Sequence, residues 1–170
     1  MIGIIGAMEQ EVSQIVAAMT DVVVSEIAGM KFNKGKFCNK EVIVVKSGIG
    51  KVNAAICAEI LVACFNVSKI INTGIAGSLK NEINIGDVVL STDALQHDVD
   101  ATNFGYARGV IPGMEVSTFI ADEELINTAE AACHKACPDI SVFKGRVVSG
   151  DIFVSDKAVK NDIAETFHGY

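Results

Sequence analysis

The sequence predicts an α/β fold, and three observations lead to that prediction. Short runs rich in β-branched residues alternate with helical stretches rich in small residues along the whole chain. Hydrophobic residues make up 50% of the 170 residues and charged residues 21%, a globular composition that can bury a sizeable core. No internal repeat or low-complexity linker divides the chain, so we expect residues 1–170 to form a single domain.

The first half of the chain is predicted to hold strands and two helices. Ile2–Ile5 is an apolar run of strand length, and a helix begins near Met8 because apolar residues recur at helical spacing from Val12 to Met19. The stretch Lys51–Phe65 is predicted to be a helix so rich in Ala, Ile and Val that we expect it to be largely buried. The other predicted strands of this half are Val22–Ile27, Met30–Phe37, Glu41–Lys46 and Lys69–Thr73.

The second half continues the alternation after a long loop. Gly86–Thr92 is the next predicted strand, and Gln96–Met114 is predicted to be a loop because it carries glycine and proline without periodicity. Asp122 is the expected N-cap of a helix that ends at Cys137 and Pro138. A strand over Arg146–Ser149 and a helix near Asp156–Thr166 complete the predicted pattern.

Charge and cysteine content argue against several classes of protein. The net charge of −7 disfavours binding to nucleic acid or to an anionic membrane, since both require a basic surface. No apolar run reaches membrane-spanning length and no secretory signal opens the chain, so we expect a cytoplasmic protein. The five cysteines form no CxxC motif, and we expect them to be buried free thiols. His97, Asp98 and Asp100 lack a second ligand cluster, so no metal is predicted.

The glycine motifs do not match the common cofactor-binding patterns. The Gly3–Gly6 segment lacks the second glycine of the dinucleotide fingerprint. Gly50 resembles the end of a P-loop, but Val45 stands where its first glycine belongs and Val52 replaces the Ser or Thr that binds magnesium. Ser149 is not in a GxSxG elbow. We therefore predict no cofactor and no serine nucleophile.

Three glycine turns each follow an apolar strand, at Gly6, Ser47–Gly50 and Thr73–Gly77. Turns at the carboxyl ends of strands in α/β sheets tend to line a common crevice, where glycine lets the backbone approach a ligand. The alternative is that they are only tight turns. Glu9 and Glu11 lie in the first turn of the helix after strand one, either as helix-dipole charges or as a carboxylate that activates water.

Six segments together resemble the 5′-methylthioadenosine/S-adenosylhomocysteine nucleosidases and occur in that family's order. They are Gly3–Glu11, Lys46–Val52, Ile71–Gly74, His97 with Asp98, Phe104–Tyr106, and Val148–Asp151 with Phe153. The resemblance implies the phosphorylase/hydrolase-like fold of that family, three-layer α/β with a mixed central β-sheet flanked by helices. It also implies hydrolysis of the N-glycosidic bond of both nucleosides with release of adenine, as in methionine salvage.

The resemblance also implies roles for nine residues. Glu11 would be the base that activates the attacking water. Met8 and Ile49 would line the ribose and thioether region, Gly77 would lie at the purine, Phe153 would stack on adenine, and the Val154 backbone would hydrogen-bond the adenine edge. Phe104, Tyr106 and Pro112 would form a loop that reaches the neighbouring subunit's 5′-substituent pocket, which implies a homodimer.

The chain departs from the family pattern in two ways. Ile75 stands where many members carry a serine, so one hydroxyl near the ribose is missing. Tyr170 also falls before the family's Met-Glu pair, which binds the ribose hydroxyls, and before the aspartate that protonates N7 of the leaving adenine. We therefore expect residues 1–170 to be a nucleosidase domain without its C-terminal part, and to be impaired as a catalyst when alone.

Phosphorolysis and non-catalytic nucleoside binding are the two alternatives to hydrolysis. A purine nucleoside phosphorylase must bind phosphate, usually through arginine. Asn72 stands where related phosphorylases have an arginine, and Glu9 and Glu11 would repel phosphate near the first turn. Hydrolysis is therefore favoured over phosphorolysis. A non-catalytic nucleoside-binding module is the other alternative.

Overall fold

The computed structural model describes residues 1–170, which form two compact units, unit 1 (Met1–Ala76) and unit 2 (Gly77–Tyr170). In chain order, unit 1 contains β1 (Ile2–Gly6), α1 (Glu9–Ala17), β2 (Thr20–Ile27), β3 (Met30–Phe37), β4 (Lys40–Lys46), α2 (Lys51–Phe65) and β5 (Lys69–Asn72). Unit 2 contains β6 (Val88–Gln96), a 3₁₀ turn (Thr102–Phe104), β7 (Thr118–Ile120), α3 (Glu123–Ala136), β8 (Val142–Ser149) and α4 (Lys157–Phe167). No helix is both long enough and apolar enough to span a membrane.

Unit 1 is a mixed five-stranded sheet with helices on both faces. The strand order is β2-β3-β4-β1-β5, in which β1 is parallel to β4 and β5 while β2, β3 and β4 are antiparallel neighbours. Along β4, Ile43 and Val45 pack in the cluster that contains Leu61 of α2. Val42 and Val44 pack in the cluster that contains Val12 of α1. All four β4 residues are buried because a helix covers each face. The predicted α/β class, with a mixed sheet flanked by helices, is confirmed.

The prediction that α2 is largely buried is wrong. Only Cys57 and Leu61 are buried in this helix, whereas Val52, Ile56 and Val62 are exposed. The sheet covers one side of α2, and its apolar residues surround the helix axis rather than forming one stripe. A helix that is apolar on all sides does not reveal from its sequence which side the sheet will cover.

Unit 2 has a three-stranded sheet in the order β7-β6-β8. Strand β6 is parallel to β8 and antiparallel to β7, and the register between β6 and β8 shifts between Ser91 and Ala94. Leu95, Ile163 and Phe167 form its buried core cluster. The sequence did not predict β7, which has only three residues, and β8 begins four residues before the predicted strand, at Val142. Asp122 caps α3 as predicted, accepting the Leu125 N–H at 2.9 Å.

The five cysteines are all free thiols, but they are not all buried as the sequence suggested. Cys57 is fully buried in the core of unit 1, and Cys133 is half-buried. Cys38, Cys64 and Cys137 are exposed, since they lie at a turn, on the uncovered side of α2 and at the end of α3. Burial raises the pKa of the Cys57 thiol to about 11.

Candidate active site

The carboxyl ends of three parallel strands meet at one edge of the unit 1 sheet. The Ser47 N–H donates to the Gly6 carbonyl at 2.9 Å, and the Thr73 N–H donates to the Ile5 carbonyl at 2.9 Å. These bonds extend the β4, β1 and β5 pairing just past the strand ends. A cleft of about 470 Å³ opens there, lined by Met8, Gln10, Glu11, Thr73, Gly74 and Ile75. The chain after β1 and the turn after β5 supply these residues, whereas the Ser47–Gly50 turn, also predicted to line the crevice, supplies none.

Two backbone N–H groups orient the Glu11 carboxylate in this cleft. Met8, the N-cap residue of α1, donates its N–H to Oε2 of Glu11 at 2.9 Å. Ile75, which follows β5, donates its N–H to Oε1 at 3.2 Å. Each carboxylate oxygen thus receives one hydrogen bond, one from a residue three positions before Glu11 and one from a residue 64 positions after it. A carboxylate has about four acceptor positions, so acceptor capacity remains for a further ligand.

Two glycines make space for that carboxylate. A β-carbon on Gly6 would lie 2.7 Å from Cγ1 of Val12 and 3.0 Å from Cβ of Glu11. A β-carbon on Gly74 would lie 2.9 Å from Cδ of Glu11. Real β-carbons essentially never approach closer than 3.0 Å, so a side chain at residue 6 would displace Val12 and one at residue 74 would displace the Glu11 carboxylate. Two of the three glycine turns are therefore more than tight turns.

Glu9 and Glu11 share the first turn of α1 but have different environments. Glu9 is exposed and forms a salt bridge with Lys46, with Oε2 to Nζ at 2.9 Å. Glu11 is half-buried and lies in the cleft. The helix-dipole interpretation therefore suits Glu9. Glu11 is accessible from the cleft, and its role as a base stays a prediction.

Of the other residues predicted in unit 1, Met8 lines the cleft and Ile49 does not. Ile49 is exposed on the turn between Gly48 and Gly50, both of which have positive φ. Asn53 fixes this turn by donating its side-chain N–H to the Ile49 carbonyl at 2.7 Å. Thr73 and Gly74 belong to the Thr73–Gly77 turn, which was predicted to line a crevice. Gln10 was not predicted to line it, and its position in the first turn of α1 beside Glu11 was the signal that could have identified it.

The remaining predicted residues lie in unit 2. Phe153 is 93% exposed, and Val154 packs against the core cluster of Leu95, Ile163 and Phe167. Gly77 is exposed, and a β-carbon on it would have no neighbour within 4 Å. Phe104, Tyr106 and Pro112 are exposed as well. Their roles as ligand contacts stay predictions.

The loop that carries Phe104 and Tyr106 is fixed by charged groups. Arg108 forms a salt bridge with Asp162 of α4 at 2.8 Å and lies over the Phe167 ring. This hydrogen-bonded pairing holds the pKa of Asp162 below its ordinary value and raises that of Arg108. Asp100 accepts the backbone N–H and the hydroxyl of Thr102, which lower the Asp100 pKa. The loop is thus ordered although it is exposed.

His97, Asp98 and Asp100, the residues considered as metal ligands, do not form a ligand set. No group of three or more His, Cys, Asp or Glu side chains is placed to coordinate an ion. His97 is buried, and its ring lies against Gly150.

Parallel strands that end at a cleft with an oriented carboxylate are the arrangement in which α/β proteins commonly bind small molecules. The family model of the phosphorylase superfamily matches residues 1–169. Across that match, the chain has the mixed sheet flanked by helices that its structural relatives share.

Three relatives indicate which family of the phosphorylase superfamily the chain belongs to. The 5′-methylthioadenosine/S-adenosylhomocysteine nucleosidase of Staphylococcus carnosus (strain TM300) is 43% identical over 167 residues, 98% of this chain and 72% of the relative. The nucleosidase of Neisseria meningitidis, solved with methylthio-immucillin-A, has a TM-score of 0.93 and 36% identity, covering 98% of this chain and 71% of its own. The nucleosidase of Colwellia psychrerythraea 34H, solved with adenine, has a TM-score of 0.93 and 34% identity. The match covers 99% of this chain and 69% of the relative. The chain belongs to the 5′-methylthioadenosine/S-adenosylhomocysteine nucleosidase family.

Proposed function

We propose that this protein hydrolyses the N-glycosidic bond of 5′-methylthioadenosine and S-adenosylhomocysteine and releases adenine. The observation that supports this most strongly is the Glu11 carboxylate, oriented by two N–H groups in a cleft at the strand ends. The relatives that carry this name, including one solved with adenine, support the choice of substrate.

The chemistry of the bond explains why a carboxylate is needed there. Breaking a bond between C1′ and N9 builds positive charge on the ribose and negative charge on the departing base. Water must lose a proton as it attacks C1′, and Glu11 is the base that accepts this proton. Because Glu11 is already fixed by Met8 and Ile75, little reorganisation is needed when the water binds.

Phosphorolysis is less well supported than hydrolysis. Phosphate recognition usually uses arginine, and the chain has two. Arg108 is paired with Asp162, and Arg146 is paired with Asp93 at 2.5 Å. In unit 1 the turn after β5 begins beyond Asn72 rather than an arginine, and the cleft contains the anionic Glu11. This environment suits a neutral water better than an anionic nucleophile.

We propose the following contacts to the nucleoside from the family resemblance. Met8 and Ile49 contact the ribose and the 5′-thio group, Gly77 lies at the purine, Phe153 stacks on adenine and the Val154 backbone bonds its edge. The exposure of Phe153 and the absence of any neighbour within 4 Å of a β-carbon on Gly77 support these assignments, since both residues are accessible to a ligand.

We also propose that the protein is a cytoplasmic homodimer. Phe104, Tyr106 and Pro112 present apolar surface on an ordered loop, which favours a protein partner, and the resemblance makes a second copy of the chain that partner. The five free cysteines are consistent with a reducing compartment.

An adenine-release assay with methylthioadenosine tests the proposed activity in the natural full-length protein. Hydrolysis should yield free adenine and free methylthioribose at the same rate with or without phosphate. A sugar 1-phosphate product that requires phosphate would make the protein a phosphorylase. Tight nucleoside binding without any adenine release would make it the non-catalytic module.

A further inference from the structure

The segment that carries Phe153 is fixed by groups beyond the end of the β6–β8 ladder. The last paired residues of that ladder are Gln96 and Ser149. One residue further, the His97 N–H donates to the Ser149 carbonyl at 2.9 Å. One residue further again, Oδ2 of Asp98 accepts the Asp151 N–H at 2.9 Å. A side-chain carboxylate therefore continues the strand pairing after the backbone pairing ends.

Gly150 brings the two strand ends together closely. A β-carbon on residue 150 would overlap the ring of His97, so the buried imidazole packs directly on the Gly150 backbone. The segment after β8 thus contacts the residues after β6 on two consecutive positions, through a ring at Gly150 and through a carboxylate at Asp151. Both contacts come from the pair His97 and Asp98.

Phe153 itself has little packing that could orient it, since 93% of the residue is exposed. The next residue, Val154, packs against the Leu95, Ile163 and Phe167 cluster. The segment is therefore anchored at Asp151 on one side of Phe153 and at Val154 on the other. Only Ile152, which is also exposed, lies between the first anchor and the aromatic ring. Loss of the Asp151 anchor would free the backbone that sets the direction of the ring.

We propose that Asp98 is a positioning residue for Phe153. Its carboxylate fixes the Asp151 backbone and so holds the Phe153 ring in the orientation that stacks on adenine. This inference rests on the proposed function, because adenine is the ligand that Phe153 meets. Asp98 acts through the backbone of its neighbour strand and does not touch the ligand.

The chain provides a matched control at the opposite end of the same two strands. Oδ1 of Asp87, just before β6, accepts the Ser141 N–H, just before β8, at 3.0 Å. Asp87 and Asp98 thus perform the same structural task at the two ends of one parallel pair. Only Asp98 is next to the segment that carries Phe153.

The test compares Asp98→Ala, Asp98→Asn and Asp87→Ala in the natural full-length protein. Asp98→Ala should weaken binding of adenine by about tenfold and raise KM for methylthioadenosine similarly, with a smaller change in kcat. It should also speed amide hydrogen exchange in residues 150–153. Asp98→Asn retains an acceptor oxygen, so its adenine affinity and its amide exchange in residues 150–153 should stay close to those of the unmodified protein. Asp87→Ala should lower stability to a similar extent and leave adenine affinity unchanged.

A double-mutant cycle with Phe153→Ala separates positioning from a general structural effect. Asp98→Ala should cause no further loss of adenine affinity once the ring is absent. An equal loss in both backgrounds, or an unchanged adenine affinity in Asp98→Ala alone, would overturn the positioning role. If the unmodified protein binds adenine but releases none from methylthioadenosine, the proposed function fails while the positioning role is still decided by the affinities.

Discussion

A β-carbon on residue 74 would lie 2.5 Å from Oε1 of Glu11, so Gly74 and Glu11 occupy their positions only as a pair. Gly74 follows β5 and Glu11 lies in α1, and the N–H of the next residue, Ile75, donates to that same oxygen. The glycine thus lets the backbone come close enough to hydrogen-bond the carboxylate. Room and orientation for the proposed base come from the same turn.

Gly74→Ala should displace the Glu11 carboxylate and lower kcat by about 100-fold, because a misplacement of about 1 Å has that cost. The protein should remain folded, since the change affects an exposed strand end. Stability is measured by urea unfolding, with Glu11→Ala as the second background. In that background the overlapping carboxylate is gone, so Gly74→Ala should cost almost nothing. An equal loss of stability in both backgrounds would contradict the paired arrangement.

Glu11→Gln should lower turnover by about 100-fold or more, because an amide is not a base. Glu9→Gln is the matched control in the same helical turn. It removes an exposed salt bridge with Lys46 and should change stability by less than about 1 kcal/mol, with normal turnover. Both rates follow from adenine release under saturating substrate. Near-normal turnover in Glu11→Gln would return Glu11 to the role of a helix-dipole charge.

Phe153→Ala should weaken methylthioadenosine binding by about 1–3 kcal/mol, the usual contribution of stacking on a base. Since the residue is 93% exposed, the melting temperature should not change. Ile152→Ala, at the neighbouring exposed position, should leave affinity near normal. Calorimetric titration of the three proteins gives the comparison, and equal affinities would exclude Phe153 as the adenine contact.

The protein should behave as a homodimer in light scattering coupled to size exclusion. Phe104→Asp should raise the dimer dissociation constant, because it places a charge on the loop proposed to reach the second subunit. Ile85→Asp introduces the same charge at a fully exposed isoleucine elsewhere in unit 2 and should leave the dimer intact. A strictly monomeric full-length protein would rule out this assembly.

Cys57 should resist a thiol reagent in the native protein at neutral pH, while Cys38, Cys64 and Cys137 react. Burial raises the Cys57 pKa from 9.0 to about 11, so the unfolded thiol ionises first as the pH rises. Its contribution to stability is therefore complete below pH 9 and is lost as the pH approaches 11. Between about pH 8 and about pH 11 the free energy of unfolding should therefore fall by about 2 kcal/mol more in the unmodified protein than in Cys57→Ala. Labelling of Cys57 without unfolding would contradict its burial.

Much of the fold could be predicted because local signals determine it. The bounds of α2 at Lys51 and Phe65 match the prediction, and Asp122 is the predicted N-cap of α3. Asp156, where the last helix was predicted to begin, is the N-cap of α4. Strand β7 could not be predicted, since three residues give no readable alternation and its pairing with β6 decides its structure. The exposure of α2 could not be predicted either, because apolar residues surround the helix and no polar side marks the face that solvent covers.

The candidate site was predictable only in part, because some of its contacts depend on how the strands pair and not on the local sequence. Placement of Glu11 after the first strand followed from the local pattern of β1 and α1. The hydrogen bond from Ile75 joins residues 64 positions apart and depends on β5 lying beside β1, which is a property of the strand order. The separate environments of Glu9 and Glu11 likewise depend on where Lys46 ends β4.

The two aspartates that flank β6 also limit how the length of this region can change. Asp87 and its partner Ser141 are 54 residues apart, whereas Asp98 and Asp151 are 53 apart. The register shift between Ser91 and Ala94 accounts for the difference, because β6 has one residue more than β8 over the same span. Deleting that extra residue, or inserting one into β8, would shift the strand register so that one of the two aspartates no longer lies opposite the N–H group it binds. Insertions and deletions between related proteins should therefore accumulate in the turn after α3, where they alter neither pairing.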